Sequence, residues 1–148
     1  MAQSTPLTLD AYWPYHVAVL GDLIARHTAH LARVHGDLNL SQWRVLAAVG
    51  EAPGRTAREV VDLTPMDKGI VSRAVSALID RALMERQAKA DDRRQVALSL
   101  TKEGQAVYAR IGAALTAAVK PVTNHLENET AFIETLKAAS QAYRGLKA

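Results

Sequence analysis

The sequence contains no cysteine, and aromatic residues make up only 5% of its 148 residues. Without cysteine, the chain cannot form disulfides, thiolate zinc sites or thiol-based redox sensors. No apolar run approaches the roughly 18 residues that a membrane-spanning helix needs. Segment 1–10 also lacks the basic and apolar stretches of a signal peptide. These absences predict a cytoplasmic protein that does not interact with membranes.

Catalytic fingerprints are missing as well. The sequence holds no P-loop, no dinucleotide-binding glycine pattern, no GxSxG and no HExxH. We therefore predict that the protein is not an enzyme, has no catalytic residues and uses no cofactor. A metal sensor is the weaker hypothesis, because zinc sites need convergent ligands. Four histidines fall on the predicted first helix: His16, His27, His30 and His35. No metal site is predicted from them.

The charge of the chain is nearly balanced, with 18 Lys and Arg against 15 Asp and Glu and a net charge of +3. This mild excess is compatible with nucleic acid as a partner but does not decide for it. Apolar residues make up 49% of the chain. Such a composition at this length predicts one compact domain spanning 1–148.

The most informative stretch runs from Thr64 to Gly104. Thr64 is placed to cap a helix whose first residue is Pro65. Apolar residues then recur every three to four positions, which predicts a buried face of Val71, Val75, Leu78 and Ile79. The opposite face carries only short or basic residues: Lys68, Gly69, Ser72, Arg73 and Ser76. An ordinary solvated face would carry paired long charges. We therefore predict that this face contacts base edges and phosphates in a DNA major groove.

Two short strands are predicted after this helix, at Met84–Ala88 and Val96–Leu100. The second alternates apolar residues with small or polar ones, which is the period of a strand. Segment 89–94, KADDRR, joins the strands as a polar tip with three cations. The helix before this region opens with a capping box of Thr56 and Glu59. Two helices followed by a basic hairpin predict a winged helix-turn-helix.

This region resembles the MarR family of bacterial transcription regulators. The segments that carry the resemblance are DKGIVSRAVSALIDRALMER, DDRRQVALSLTKEG and, upstream, LSQWRVL, so that it covers about residues 38–105. The resemblance implies a mainly α fold with a small two-stranded β wing. In that fold, about 38–104 is the winged helix-turn-helix core that binds DNA, and about 10–36 and 105–147 are dimerisation helices.

The resemblance also implies a role for the tip of the wing. The tip of the family's wing contacts the minor groove, which assigns DNA binding to Asp92, Arg93 and Arg94. Asp92, which aligns with the family's motif, would orient a neighbouring arginine. Which of the two arginines enters the groove is left open.

The outer helices are predicted to pair with a second chain. A first helix from about Asp10 to His35 carries a heptad-like apolar stripe, and a last helix from about Glu127 to Arg144 carries another. A small monomer cannot cover both stripes. We expect a homodimer that binds a pseudo-palindromic operator in double-stranded DNA, with half-sites about one helical turn apart. Pro121 should kink or end the helix that Thr101 caps.

The connecting helices are predicted from caps and apolar spacing. Ser41 is placed to cap a short helix whose buried residues are Trp43, Leu46 and Val49. Pro53-Gly54 marks a turn. Val60 and Leu63 should pack against the next helix.

The function implied by the resemblance is repression of transcription that a small ligand relieves. In the family, the ligand pocket lies between the dimerisation helices and the DNA-binding core. The residues of this chain suited to that place are Tyr12, Trp13, His16 and Trp43, which would form an aromatic pocket for an organic acid or phenol. The alternative for these four is that both tryptophans belong to the core and His16 is an ordinary polar residue. The alternatives for the whole protein are an activator or ligand-enhanced regulator of the same fold, or a helical protein-interaction module without DNA specificity.

Overall fold

The computed structural model describes residues 6–89, 91 and 94–146. That part of the chain contains helices and one antiparallel two-stranded sheet. After a short 3-10 turn at Leu9–Ala11, the elements are α1 (Trp13–Gly36), α2 (Leu40–Glu51), α3 (Ala57–Leu63), α4 (Lys68–Asp80), β1 (Met84–Ala88), β2 (Val96–Leu100), α5 (Lys102–Thr123) and α6 (Glu129–Arg144). The predicted fold class, mainly α with a small β wing, is confirmed.

The chain divides into two compact units, Met1–Ala114 and Leu115–Ala148. The first unit holds α1 to α4, both strands and the first part of α5. The second holds the remainder of α5, which ends two residues after Pro121, and α6. Among the described residues, no helix combines the length and apolar character needed to cross a membrane.

Several helix starts differ from the predicted ones. α2 is capped by Asn39 rather than Ser41: Gln42 N–H donates to Asn39 Oδ1 at 2.8 Å, and Asn39 N–H donates to Gln42 Oε1 at 3.0 Å. α1 begins at Trp13 rather than Asp10, after the separate 3-10 turn. α6 begins at Glu129, with Asn128 as its cap.

The start of α4 is the most consequential correction. Asp67, not Thr64, is the N-cap, and its carboxylate accepts a hydrogen bond from Ile70 N–H at 2.8 Å. The hydroxyl of Thr64 instead donates to the carbonyl of Val60 at 2.7 Å, at the end of α3. Pro65 consequently lies between the helices. A carboxylate also suits the positive end of a helix dipole better than a hydroxyl does.

The core of the first unit is formed by apolar faces of α2, α3, α4, the strands and α5. The predicted inward residues of α2 and α4 are buried, namely Trp43, Leu46, Val49, Val71, Val75 and Leu78, while Ile79 is half-buried. Val60 is fully buried as predicted, but the prediction for Leu63 is wrong, since its side chain is 50% exposed. Leu63 is the last residue of the short α3, where the chain already turns away.

The hairpin is extended by a third backbone segment. β1 and β2 pair in the register Met84 with Leu100 and Ala88 with Val96. On the other side of β2, Gly54 N–H donates to the Leu98 carbonyl at 2.8 Å, and Leu98 N–H donates to the Arg55 carbonyl at 2.9 Å. The predicted turn at Pro53-Gly54 therefore leads directly into the sheet.

Candidate nucleic-acid interface

The exposed face of α4 collects the residues that the sequence assigned to DNA. Lys68, Gly69, Ser72, Arg73 and Ser76 are all exposed, whereas Val71, Ala74, Val75 and Leu78 of the same helix are buried. From Lys68 to Ser76, the helix thus presents a surface of short and basic side chains. Such a surface allows close approach of the backbone to a groove wall and supplies donors to phosphates and base edges.

The side chain of Arg73 reaches back toward the N-cap of α4. A Cβ added at Gly69 would lie 3.3 Å from both Arg73 Nη1 and Asp67 Oδ1, so the guanidinium group and the carboxylate border the same small space. Gly69 leaves that space open. The arginine is therefore presented at the end of the helix where backbone N–H groups also point outward.

The hairpin carries further polar groups. Of its described tip residues, Asp91 and Arg94 are exposed and Lys89 is half-buried. Asp92 and Arg93, which the sequence assigned to DNA, lie outside the described residues. On the outer face of the sheet, Glu85 accepts hydrogen bonds from Gln87 at 3.2 Å and Ser99 at 3.3 Å.

A groove of about 490 Å³ lies between α3, α4 and the hairpin. Its lining includes the apolar residues Val61, Val71, Val75, Val96 and Leu98 and the polar residues Arg58, Asp62, Lys68, Ser72 and Arg86. Sequence analysis missed Arg58 and Arg86. For Arg58, the available signal was its position in the first turn of α3. For Arg86, it was the position two residues after the buried Met84 on β1, because alternate residues of a strand share a face.

Arg55 is a further residue that sequence analysis missed, and its role is to hold the hairpin. Its guanidinium group donates to the Ala48 carbonyl at 2.6 Å and to Glu51 Oε2 at 2.8 Å. Its backbone pairs with Leu98 of β2. One residue therefore joins the end of α2 to the base of the wing.

α3 is stabilised by the predicted capping box, which is confirmed. Glu59 N–H donates to Thr56 Oγ1 at 3.2 Å, and Thr56 N–H donates to Glu59 Oε2 at 2.6 Å. The hydrogen bond from the Thr56 backbone lowers the pKa of Glu59 below its ordinary value, with a smaller contribution from the Thr56 side chain. The charged carboxylate is favoured because it completes the cap.

The four predicted ligand-binding residues do not come together within one chain. Trp43 is buried and stacks on Tyr108, with ring centroids 6.0 Å apart. Tyr12, Trp13 and His16 are exposed at the start of α1, where His16 Nε2 is 2.8 Å from the Asp10 carbonyl oxygen. Trp43 lies in α2, shortly after the C-terminal end of α1. At 1.5 Å per residue, that end is about 35 Å along the helix from Trp13.

The histidines of α1 remain dispersed. Across residues 6–89, 91 and 94–146, no group of three or more His, Asp or Glu side chains is arranged to hold a metal ion.

Comparison with known proteins finds a similarity in the central part of the chain. Residues 36–95, which include α2, α3, α4 and β1, match the model of the MarR family. The chain is similar to this family over that segment. The resemblance found in the sequence is thereby confirmed.

Individual relatives show the same similarity. The transcriptional regulator HosA of Escherichia coli is 27% identical over 122 residues, which cover 82% of this chain and 83% of HosA. The structure of CouR from Rhodococcus jostii RHA1 bound to p-coumaroyl-CoA has a TM-score of 0.78 at 19% identity, covering 97% of this chain and 99% of CouR. The repressor CouR bound to a 23-mer DNA duplex has a TM-score of 0.72 at 23% identity, covering 93% and 99%. These structural likenesses concern the MarR fold.

Proposed function

We propose that this protein is a MarR-family regulator that binds double-stranded DNA sequence-specifically as a homodimer and represses transcription until a small organic ligand releases it. The observation that carries the proposal is the exposed face of α4, whose residues from Lys68 to Ser76 are short or basic while the opposite face is buried. The complex of the similarly folded CouR with a DNA duplex supports it. A regulator of chromosomal DNA would work in the cytoplasm.

The proposed DNA contacts divide into base recognition and phosphate binding. Lys68, Gly69, Ser72, Arg73 and Ser76 would face the major groove from α4. The wing tip, with Asp92, Arg93 and Arg94, would contact the minor groove and adjacent phosphates. We assign this DNA-binding core to about 38–104.

Exposed apolar side chains on α1 support the proposed homodimer. Val17, Leu20 and Ile24 are 44%, 41% and 55% exposed, although each lies on the predicted heptad-like stripe. A helix that shows so many large apolar groups to water is typical of an interaction surface. Within the second unit, α6 also exposes Phe132 and Leu136. We infer that about 10–36 and 105–147 form the contacts with a second copy, which suits a pseudo-palindromic operator.

The proposed effector is a small organic acid or phenol. CouR, which shares the fold, has been crystallised with p-coumaroyl-CoA, an aromatic acyl thioester. In this chain, Tyr12, Trp13 and His16 offer exposed aromatic surface and a polar group at the start of α1. They are our proposed ligand residues. Trp43 is not proposed to contact the ligand; it stacks on Tyr108 and supports that ring.

The test begins with selection of bound duplexes by the wild-type chain from a randomised DNA library. We expect a two-fold symmetric sequence to be enriched, and its binding to weaken steeply with salt because phosphate contacts release counterions. A panel of aromatic acids and their thioesters is then added to the complex. We expect one class to release wild type and to require a higher concentration for the His16→Ala variant. Selection that enriches no sequence would contradict the proposal, and equal release of both chains would remove His16 from the effector site.

A further inference from the structure

The C-terminal end of α1 is held by two arginines from other helices. The final carbonyls of a helix lack partners within it. Here Asp37, in the left-handed conformation with φ 51°, ends the helix, and its N–H donates to the Arg33 carbonyl at 2.9 Å. The next carbonyls accept from outside: Arg110 Nε donates to His35 O at 2.5 Å, and Arg81 Nη1 donates to Asp37 O at 2.5 Å.

Arg81 belongs to the end of the recognition helix α4. Its backbone is the C-cap of that helix, since Arg81 N–H donates to the Ala77 carbonyl. Its side chain reaches α1 with both terminal nitrogens, because Nη2 also donates to Gly36 O at 3.3 Å. A planar guanidinium group bound to two successive carbonyls fixes orientation as well as distance. Arg81 therefore ties the end of the recognition helix to the end of α1.

The tie is made to the backbone of α1, not to an acidic side chain. Asp37 Oδ2 lies 3.9 Å from Arg81 Nη2, and the Asp37 side chain is 89% exposed. An ion pair of this length in water contributes little. The two carbonyl contacts should consequently survive loss of the Asp37 charge, which provides a matched control.

The end of α1 is in turn packed closely against α5. A Cβ at Gly36 would overlap the side chain of Ile111 and touch Val107. Further along α1, the apolar residues that we assign to the dimer contact are exposed. The helix thus carries the proposed dimer surface over its length and holds the recognition helix at its end.

We propose that Arg81 is a positioning residue that sets the separation of the two recognition helices in the dimer, and thereby the half-site spacing that the regulator accepts. This inference rests on the proposed function. Two recognition helices can enter successive major grooves only when their separation matches the DNA repeat. Loosening the tie between α4 and α1 would let each recognition helix adapt to other spacings.

The experiment uses the duplex that the wild-type chain selects, together with derivatives that carry one or two extra base pairs at the centre. Arg81→Ala and Arg81→Lys are compared with Asp37→Asn and Lys102→Ala. Asparagine tolerates the left-handed conformation, and Lys102 is an exposed cation that lines the same surface depression as Ala82 and Arg110. The readout is the ratio of affinities for the selected and the expanded duplexes. A smaller folded fraction lowers both affinities equally and leaves this ratio unchanged.

We expect Arg81→Ala to reduce the ratio about tenfold, within the usual range of coupling between sites, while both control variants keep the wild-type ratio. Arg81→Lys keeps the positive charge but loses the planar guanidinium group that donates to two carbonyls, so it should lower the ratio as well. If Arg81→Ala does not fold, Arg81→Lys tests the inference in its place. A wild-type ratio in Arg81→Lys would overturn this inference and leave the proposed function standing. A wild-type chain that selects no sequence would overturn the proposed function and this inference together.

Discussion

The α-carbon of Gly104 faces the carbonyl of Leu83 so closely that a Cβ at Gly104 would overlap it. That carbonyl also accepts a hydrogen bond from Thr101 N–H at 3.1 Å, while Thr101 Oγ1 donates to the Ala82 carbonyl at 2.7 Å. Gly104 N–H completes the arrangement by donating to Thr101 Oγ1 at 3.0 Å, so the predicted cap at Thr101 is confirmed. The start of α5 is thereby attached to the turn that joins the recognition helix to the wing.

This contact predicts that Gly104→Ala is destabilising. Forcing a methyl group against a backbone carbonyl should cost about 1–3 kcal/mol, as overpacking usually does. Gly112→Ala is the matched control, because it lies in the same helix and a Cβ there meets no atom within 4 Å. The control should gain about 0.5–1 kcal/mol from helix propensity. Urea denaturation measures both, and equal stabilities of the two variants would contradict the prediction.

The capping of α4 predicts that the side chain of Asp67 stabilises the folded chain through its N-cap hydrogen bond. Asp67→Ala removes the acceptor of Ile70 N–H and should cost about 0.5–2 kcal/mol. Asp67→Asn keeps that acceptor and should restore most of the loss. Thermal unfolding of the three chains gives the comparison. If Asp67→Ala unfolds at the wild-type temperature, the observed cap is not one that stabilises the helix.

The capping box of α3 predicts a pH dependence of stability. The pKa of Glu59 is lowered in the folded chain, so its charged form contributes stability that is fully present above its ordinary pKa. That contribution is lost as the pH falls through the lower folded pKa. The amide introduced by Glu59→Gln can still accept the Thr56 hydrogen bond but does not titrate. We expect the difference in urea midpoint between wild type and variant to shrink on going from neutral to strongly acidic pH. A difference that stays constant would contradict the assignment.

The exposed face of α4 predicts a specific loss of DNA affinity in Arg73→Ala. If the guanidinium group binds a guanine through two hydrogen bonds, its removal should cost about 1–3 kcal/mol and relax the preference at one base pair. Lys102→Ala removes one positive charge from an exposed position outside the α4 face. Competition binding with single-base variants of the selected duplex measures both changes. Equal profiles for the two variants would remove Arg73 from base recognition.

The sequence alone determined the fold class and which residues of α4 form its exposed face. Periodicity is a local property, and the spacing of apolar residues is enough to separate Val71, Val75 and Leu78 from Ser72 and Arg73. The resemblance to the MarR family could also be recognised from contiguous segments of the sequence. The prediction of one domain over 1–148 stays a prediction, as do the DNA contacts of Arg93 and Arg94.

Only the tertiary structure decided which polar groups hold the elements in place. Thr64 and Asp67 are both acceptable caps by sequence, and in the folded chain Asp67 accepts from Ile70 N–H whereas the Thr64 hydroxyl donates to the Val60 carbonyl. The contact between Arg81 and Asp37 joins residues 44 positions apart. No local pattern encodes such a partner, because a backbone carbonyl is present at every residue and only the folded chain selects which one an arginine reaches.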